Sequence, residues 1–431
     1  MRFADALAEL EARQPEHMPE PDLGRMRALA ELLDHPELTY PAIHVTGTNG
    51  KTTIARLCVR LACAHGISTG LFTSPHLLSV TERLQLCDDE ISITEFGHEY
   101  EHLLPYLKTV DASVGPVTYF EALAALAFLW FADKPVGLGV FEVGMGGTWD
   151  ATNLVAGDVA IIGQVGLDHP ELGSTEAEVA GEKSGIIKPG KVAVVREQVP
   201  EALSVIERRA GEVGATILLE EREWGLERRT GALGGQAITV KGVHATYEDV
   251  LLPLFGEFAA HNAAAAITAV EVLTERALED HAVREALGGA TSPGRMEVVG
   301  RRPLVVLDGA HNPAAARALA EALPEAFPGE RLHLVMAVFS NKDLEGVADA
   351  LAPLADVGYA ATTDSVRARP AEEIEHALSS RGVPTTAFAS VDDALAAARA
   401  AANDDDLILV TGSLYTVADA RRALLGSRER S

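Results

Sequence analysis

The chain has 431 residues, 47% of them apolar and 23% charged, and a formal net charge of −27. That length suffices for two or three domains with separate cores, and the balance is that of a globular protein. The acidic excess argues against a nucleic acid or an anionic membrane as partner. The opening MRFADALAELEARQ lacks a basic start followed by an apolar stretch, so no secretory signal is expected. No apolar run reaches bilayer length. Cys58, Cys63 and Cys87 offer neither a disulfide framework nor a CxxC zinc pattern, so a reducing cytoplasm is the expected compartment. Eight lysines stand against twenty-eight arginines, which sets apart the lysines inside glycine-rich motifs: Lys51, Lys183 and Lys342.

After a helical N-terminal segment, PAIHVTG (41–47) reads as a strand and Thr52 to His65 as a helix. Ile54, Leu57, Cys58 and Leu61 fall at i, i+3, i+4 and i+7, and Gly66 is placed to end it. Tyr119 to Phe131 is a second apolar helix, and Val136–Val143, Val159–Val165 and Lys191–Val195 read as buried strands. Between Thr216 and Leu254, shorter β-like pieces with Gly-Gly and charged turns suggest a local antiparallel insert. An alanine-rich helix follows from His261 to Glu275. Ser292-Pro293-Gly294 interrupts the periodicity, and strands at 304–307, 332–338 and 407–411 then alternate with helices. The alternation predicts an α/β fold with mostly parallel sheets, divided into a larger domain over 1–296 and a smaller doubly wound domain over 297–431.

The stretch Gly47-Thr48-Asn49-Gly50-Lys51-Thr52-Thr53 joins a strand to a helix, the context a phosphate loop needs. Glycines let amide groups approach phosphate oxygens, Lys51 would reach the β/γ-phosphates, and the Thr52 hydroxyl would ligate Mg²⁺. The spacing G-x-x-x-x-G-K-[ST] would require glycine at 45, where the chain has Val45, so the loop is a more compact design. Glu142 ends a buried strand before Gly144-Met145-Gly146-Gly147; it suits Mg²⁺ as an oxygen ligand, or else it satisfies nearby amides. His169 ends the next strand as a metal ligand or a structural histidine. Lys183, beside an apolar run, is either buried with a lowered pKa or snorkels. Asn312 and Pro313 fit an N-cap and first helical position, which leaves Asp308 and His311 without a structural explanation. Asn341-Lys342-Asp343 falls short of the guanine motif N-K-x-D because residue 344 is Leu.

Taken with Thr73-Ser74-Pro75-His76-Leu77, Thr81-Glu82-Arg83, Thr118-Tyr119-Phe120-Glu121, Asp150-Ala151-Thr152-Asn153, Glu182 to Gly190, Pro293-Gly294-Arg295 and Thr411 to Tyr415, these motifs resemble the folylpolyglutamate synthase / dihydrofolate synthase family. That family is related to the Mur ligases, and the resemblance runs from about Asp22 to Tyr415. It implies a P-loop ATP-binding domain like the Mur central domain, a Rossmann-like glutamate-ligase domain, and ATP in the cleft between them. Gly47, Thr48, Asn49, Gly50, Lys51, Thr52 and Thr53 would bind ATP, with Asn262, Arg295 and Asp308. Thr52, Ser74 and Glu142 would serve one Mg²⁺, and His169 with the region of Lys183 a second. Lys183 matches a lysine that family members can carry as a carbamate. Ser74, Pro75, His76, Thr118, Phe120 and Glu121 would border the pterin, and Lys51, His169, Lys183, Arg295 and His311 would act in catalysis.

The implied reaction joins L-glutamate to dihydropteroate or a reduced folate through an acyl phosphate, releasing ADP and phosphate. The enzyme would be a cytoplasmic monomer with small-molecule substrates and no nucleic-acid or membrane partner. Two features depart from the family pattern. Gly50-Lys51-Thr52-Thr53 is nearer the Mur form than Gly-Lys-Gly-Ser, and Phe258 and Ala259 replace the polar pair of G-x-H-Q-x-x-N. The second leaves adenine recognition open. A Mur-like ligase with another acceptor and a non-catalytic nucleotide-binding protein are the alternatives.

Overall fold

The computed structural model describes residues 1–15, 22–167, 170–327 and 331–425. They form two compact units: Met1–Thr230 with Ala237–Leu252 and Ala259–Ala290, and Thr291–Ser431 with Gly231–Gln236 and Pro253–Phe258. The first unit is built on an eight-stranded sheet. From edge to edge its strands are Asp89–Glu90, Leu84–Leu86, Thr69–Phe72, Leu138–Glu142, Ala42–Thr46, Val159–Ile162, Val192–Val195 and Thr216–Leu219. The first two pair antiparallel and the other six run parallel.

Every residue of Ala42–Thr46 and of Leu138–Glu142 is buried. A parallel strand covered on both faces reads as a mostly apolar run, and both segments do, with His44, Thr46 and Glu142 as buried polar exceptions. One face of the sheet, which carries Phe72, Phe141, Ala160 and Ile162, packs under Phe96, Tyr100, Phe128 and Phe131 in one part and against Ile186, Ile187 and Ile206 in another. Ile43, Val45, Val140 and Ile161 on the opposite face are also buried. Each such side chain contributes about 1.5–3 kcal/mol by leaving water. Ala42–Thr46 lies between Leu138–Glu142 and Val159–Ile162, with Val45 opposite both Glu142 and Ile161. The loops leaving these three strands therefore emerge side by side at the carboxyl edge of the sheet, where open α/β sheets bind ligands.

Thr216–Leu219 corrects one expectation: it does not belong to a local insert but extends the main sheet as its edge strand beside Val192–Val195. The separate three-stranded sheet is Gly225–Ala232, Gly235–Lys241 and Thr246–Leu252. Glu271, on the helix Glu257–Thr274, accepts hydrogen bonds from the amides of Val243 and His244 and from the Tyr247 hydroxyl, anchoring the last connection. That helix starts one turn before the expected His261, directly after Gly256 in the left-handed region (φ 83°).

The cysteine expectation also fails. Cys63, in the last turn of the helix Lys51–Ala64, forms a disulfide with Cys87, which follows Leu84–Leu86; the Cα atoms are 6.0 Å apart. A separation of 24 residues and the absence of any motif hid the pair. Cys58 is free and buried.

The second unit carries a six-stranded sheet in the order Glu297–Arg301, Leu304–Leu307, Leu407–Thr411, Leu332–Met336, Val357–Ala361 and Thr385–Phe388. The first pair is antiparallel and the rest are parallel. Among the described residues no helix is long and apolar enough to cross a membrane.

Candidate active site

The turn after Ala42–Thr46 is held by its neighbour. Gly163 donates to the Thr46 carbonyl (2.8 Å), Thr48 donates to the Gln164 carbonyl (3.0 Å), and the Thr48 hydroxyl donates to the Gly166 carbonyl (2.8 Å). Gly50 is required twice: its φ is +81°, and a Cβ there would lie 2.6 Å from Asn262 Nδ2. Gly47, at φ +155°, faces Gly163 so closely that a Cβ would sit 3.1 Å from the Gly163 Cα. The backbone is thus packed into a tight arch that opens the helix Lys51–Ala64 at its N-terminus.

Two ammonium groups meet at this arch. Lys51 Nζ curls back to the Gly47 carbonyl (3.0 Å), and Lys183 Nζ, on a residue only 4% exposed, donates to the same oxygen (2.9 Å). Lys183 arrives from the last turn of the helix Glu176–Ser184. Two cations gathered on one carbonyl at a helix N-terminus form a field that favours an anion. Beside them the Thr52 hydroxyl donates to Glu142 Oε1 (2.8 Å) and lies 3.0 Å from Oε2, and the Ser74 amide donates to Glu142 Oε2 (3.1 Å). Glu142 is 2% exposed. A carboxylate and a hydroxyl at hydrogen-bond distance give an all-oxygen donor set, which fits Mg²⁺. His169, with Asp168, lies outside the described residues.

The turn Gly144–Gly147 is also pinned. Thr46 Oγ1 donates to the Gly146 carbonyl (2.8 Å), and Asp150 accepts from the amides of Met145 (3.0 Å) and Thr152 (2.9 Å). Burial pushes the Asp150 carboxyl above its ordinary pKa against the pull of those hydrogen bonds. The Thr152 hydroxyl also bonds His44 Nε2 (2.8 Å), whose ring burial, with Lys188 nearby, drives well below the usual imidazole pKa. Lys188 donates to the carbonyl and side chain of Asn153 (2.6 and 2.8 Å), and burial, with Arg209, lowers it to about 8.

Of the segments expected to border a pterin, Ser74–Pro75 is a cis peptide and His76 Nδ1 accepts from Arg83 Nε (2.9 Å). The Arg83 guanidinium also lies 5.4 Å from the centre of the Tyr119 ring. Phe120 stacks near Phe72 (5.7 Å between centroids) and closes on Gly144, where a Cβ would sit 2.7 Å from Phe120 Cζ. Thr118 and Glu121 form the capping box that starts the helix Tyr119–Asp133, and Glu121 also pairs with the buried Arg25 (2.9 Å). Glu82 was not singled out by itself in the sequence. Its carboxylate gathers the amides of Leu77 (2.8 Å), Leu78 (2.6 Å) and Ser79 (2.7 Å) and so fixes the loop after Pro75. The pattern Ser79-x-x-Glu82, a capping box, was the available signal.

Asn262 stands against Gly50 and accepts from Arg196 NH1 (3.2 Å). Arg196 Nε reaches Glu220 (3.3 Å), which also accepts from the Glu197 amide (2.8 Å) and from His261 Nδ1 (2.6 Å). Burial raises the Glu220 carboxyl, but the His261 hydrogen bond and Arg196 outweigh it and leave it below the ordinary value. A polar group absent at Phe258 and Ala259 is therefore present one turn later, at His261.

In the second unit, Arg295, Asp308 and His311 come together around Gly309. A Cβ on Gly309 would lie 2.4 Å from Arg295 NH1, and His311 Nδ1 donates to the Gly309 carbonyl (2.9 Å). Asp308 accepts from the amides of Met296 (2.9 Å) and Ala310 (2.8 Å). Burial raises its pKa, opposed by Arg295, those amides and His311. Asn312 caps the helix Pro313–Ala326 through the Ala315 amide (2.8 Å). Ser413 caps the final helix at Thr416, and Tyr415 packs on Phe339.

Over nearly its whole length the chain is similar to proteins of known family. Residues 45–270 match the family described as the Mur ligase middle domain, and residues 294–414 match the Mur ligase, glutamate ligase domain. The chain is 38% identical to the dihydrofolate synthase/folylpolyglutamate synthase of Mycobacterium tuberculosis over 97% of its own length and 92% of that protein's. A solved structure of folylpolyglutamate synthase from the same organism, complexed with ADP, superposes with a TM-score of 0.94 at 36% identity, covering 98% of each chain. A bifunctional folylpolyglutamate synthase/dihydrofolate synthase with Mn, AMPPNP and L-glutamate bound superposes at 0.86 and 31% identity, over 99% of this chain and 98% of the other.

Proposed function

The chain belongs to the dihydrofolate synthase/folylpolyglutamate synthase branch of the Mur ligases, and from that premise we propose that it adds L-glutamate both to dihydropteroate and to reduced folates. It is an ATP-dependent ligase. The observation that carries the site assignment is the convergence of Lys51 and Lys183 on the Gly47 carbonyl beside the Thr52–Glu142 pair.

The chemical difficulty is to bring an acceptor carboxylate against a triphosphate, two anions that repel. Lys51 and the amides at the start of its helix offset that repulsion and stabilise charge on the transferred phosphoryl group. The acceptor carboxylate oxygen attacks the γ-phosphorus and ADP leaves with the bridging electron pair. The glutamate amine then attacks the acyl carbon and phosphate leaves, carrying off the activating group. Mg²⁺, when bound by Thr52 and Glu142 with Ser74, supplies Lewis-acid neutralisation of phosphate charge. A carbamate nitrogen on Lys183 keeps one N–H, so its bond to Gly47 is compatible with the modified form as well as with the ammonium. In the second unit Arg295 and His311, ordered about Asp308, are the groups assigned to nucleotide phosphate. The cytoplasm remains the proposed compartment on the ground of ATP supply, since the Cys63–Cys87 pair removes the argument from cysteines.

The test is ADP release from Mg²⁺-ATP and L-glutamate, with dihydropteroate and tetrahydrofolate in separate reactions. Glutamate-dependent release with both is expected. Release with one alone reduces the enzyme to a single activity. Folded, ATP-binding protein that releases ADP with neither points instead to another acceptor or to a binding protein.

A further inference from the structure

His98, Glu99 and His102 lie on the helix Ile93–Ser113; His102 follows His98 by four residues and Glu99 by three, the spacings that make side chains neighbours on a helix. The two imidazole rings are 4.2 Å apart between centroids, and one ligand atom from each of the three residues falls within 4.8 Å of the others. Glu99 is only 7% exposed, and its Oε2 meets no hydrogen-bond donor among the described residues; its Oε1 lies 3.4 Å from His98 Nδ1. A buried carboxylate oxygen without a partner is costly and asks for a cation or a donor. His98, 61% exposed at its side chain, and the exposed His102 stand on either side of Glu99 in the chain; its Oε2 is itself shielded from solvent, so a cation reaches it only as the two imidazoles move.

We propose that His98, Glu99 and His102 bind a divalent transition-metal cation of the zinc class, at a site distinct from the Mg²⁺-ATP chemistry. Two imidazoles and one carboxylate form a nitrogen-rich, borderline set that suits Zn²⁺, Co²⁺ or Ni²⁺, whereas Mg²⁺ prefers six oxygens. Three donors about 2.1 Å from a common tetrahedral ion stand roughly 3.4 Å apart. The side chains must therefore close by up to about 1.4 Å, within the reach of two exposed imidazoles. Solvent supplies the fourth ligand.

The surrounding charges are mixed. Glu95 and Glu101 on the same helix add negative potential, while Lys134, paired with Glu95, and the Met1 amino group, paired with Glu101, oppose it. Lys134 follows the C-terminal end of the helix Tyr119–Asp133, whose N-cap is Thr118. Fifteen residues of helix are about 22 Å long, so Lys134, whose partner Glu95 precedes His98 by three residues on the helix Ile93–Ser113, stands about that far from the segment assigned to the pterin.

The experiment uses the full chain, stripped with chelator and returned to a large excess of Mg²⁺. Co²⁺ is titrated by its visible absorption and Zn²⁺ by calorimetry. One site per chain is expected, with His98→Ala and His102→Ala each weakening binding at least tenfold and Glu99→Gln weakening it comparably, since loss of even outer-shell groups costs 10–100-fold. Turnover in Mg²⁺-ATP should stay parental in the two histidine variants, and circular dichroism checks their fold. Equal Co²⁺ affinity in the parent and the His98→Ala/His102→Ala double variant would overturn the site. Full retention by Glu99→Gln would reduce it to a surface histidine pair and overturn the three-ligand assignment.

Discussion

At Gly47 a single carbonyl oxygen receives two lysine side chains, and the two should behave differently when removed. Lys51 opens the helix at the phosphate arch, so Lys51→Ala takes away a preorganised charge where negative charge develops. Loss of one such donor costs about 10²–10³ in rate, so glutamate-dependent ADP release is expected to fall to background. Lys51→Arg should not restore it, because a planar guanidinium cannot occupy the place of a compact ammonium. Lys183→Ala should lower turnover strongly as well. The parent, if carbamylated there, should lose activity in bicarbonate-free buffer and regain it when bicarbonate is added. Near-parental turnover by either alanine variant would remove that residue from the mechanism. Thr52 provides the internal control: Thr52→Ser keeps the hydroxyl beside Glu142 and should stay active, while Thr52→Val should raise the Mg²⁺-ATP requirement.

At the scale of elements, what was legible in the sequence follows a physical rule. Strands such as Ala42–Thr46 and Leu407–Thr411 are buried on both faces and so are mostly apolar runs, which can be read directly. Glycines forced by backbone geometry, Gly47 and Gly50, marked the arch for the same reason. Pairings between distant turns leave no such periodic trace: Glu220 between Arg196 and His261, and Cys63 with Cys87, appear only once the chain is folded. The disulfide ties the far end of the Lys51–Ala64 helix to the turn after Leu84–Leu86 and closes a loop of 24 residues. Loop-closure entropy makes that worth roughly 3 kcal/mol. For a unit of this size, Cys63→Ser or a reductant should lower the melting temperature by about 5 °C. Turnover at 25 °C should be unchanged, because the phosphate arch is at the other end of the helix, about 20 Å away. Superimposable melting curves for Cys63→Ser, reduced parent and oxidised parent would show that the pair contributes nothing.

For the whole molecule the dominant electrostatic fact is the net charge of −27, from 63 acidic and 36 Lys and Arg residues. On the proposed site assignment anionic substrates would meet a few local cations, and charges about 3 Å away outweigh distant carboxylates. Stability is governed differently, since it sums repulsion over the entire surface. At ~0.01 M salt the screening length is about 30 Å, on the scale of a folded domain, and most of the excess carboxylates repel one another; at ~0.15 M it is about 8 Å and only neighbours do. The compact state holds those charges closer than the unfolded chain and therefore gains more from screening. Exposed ion pairs such as Arg2–Asp5 and Arg228–Asp249 pull the other way, but solvent screens pairs of this kind, so they contribute little and are weakened only in part. The melting temperature is therefore expected to rise when NaCl is raised from ~0.01 to ~0.15 M, and to rise equally with KCl at the same ionic strength. A fall over that interval would mean that surface pairing, not the uncompensated acidic charge, sets the electrostatic balance of the fold.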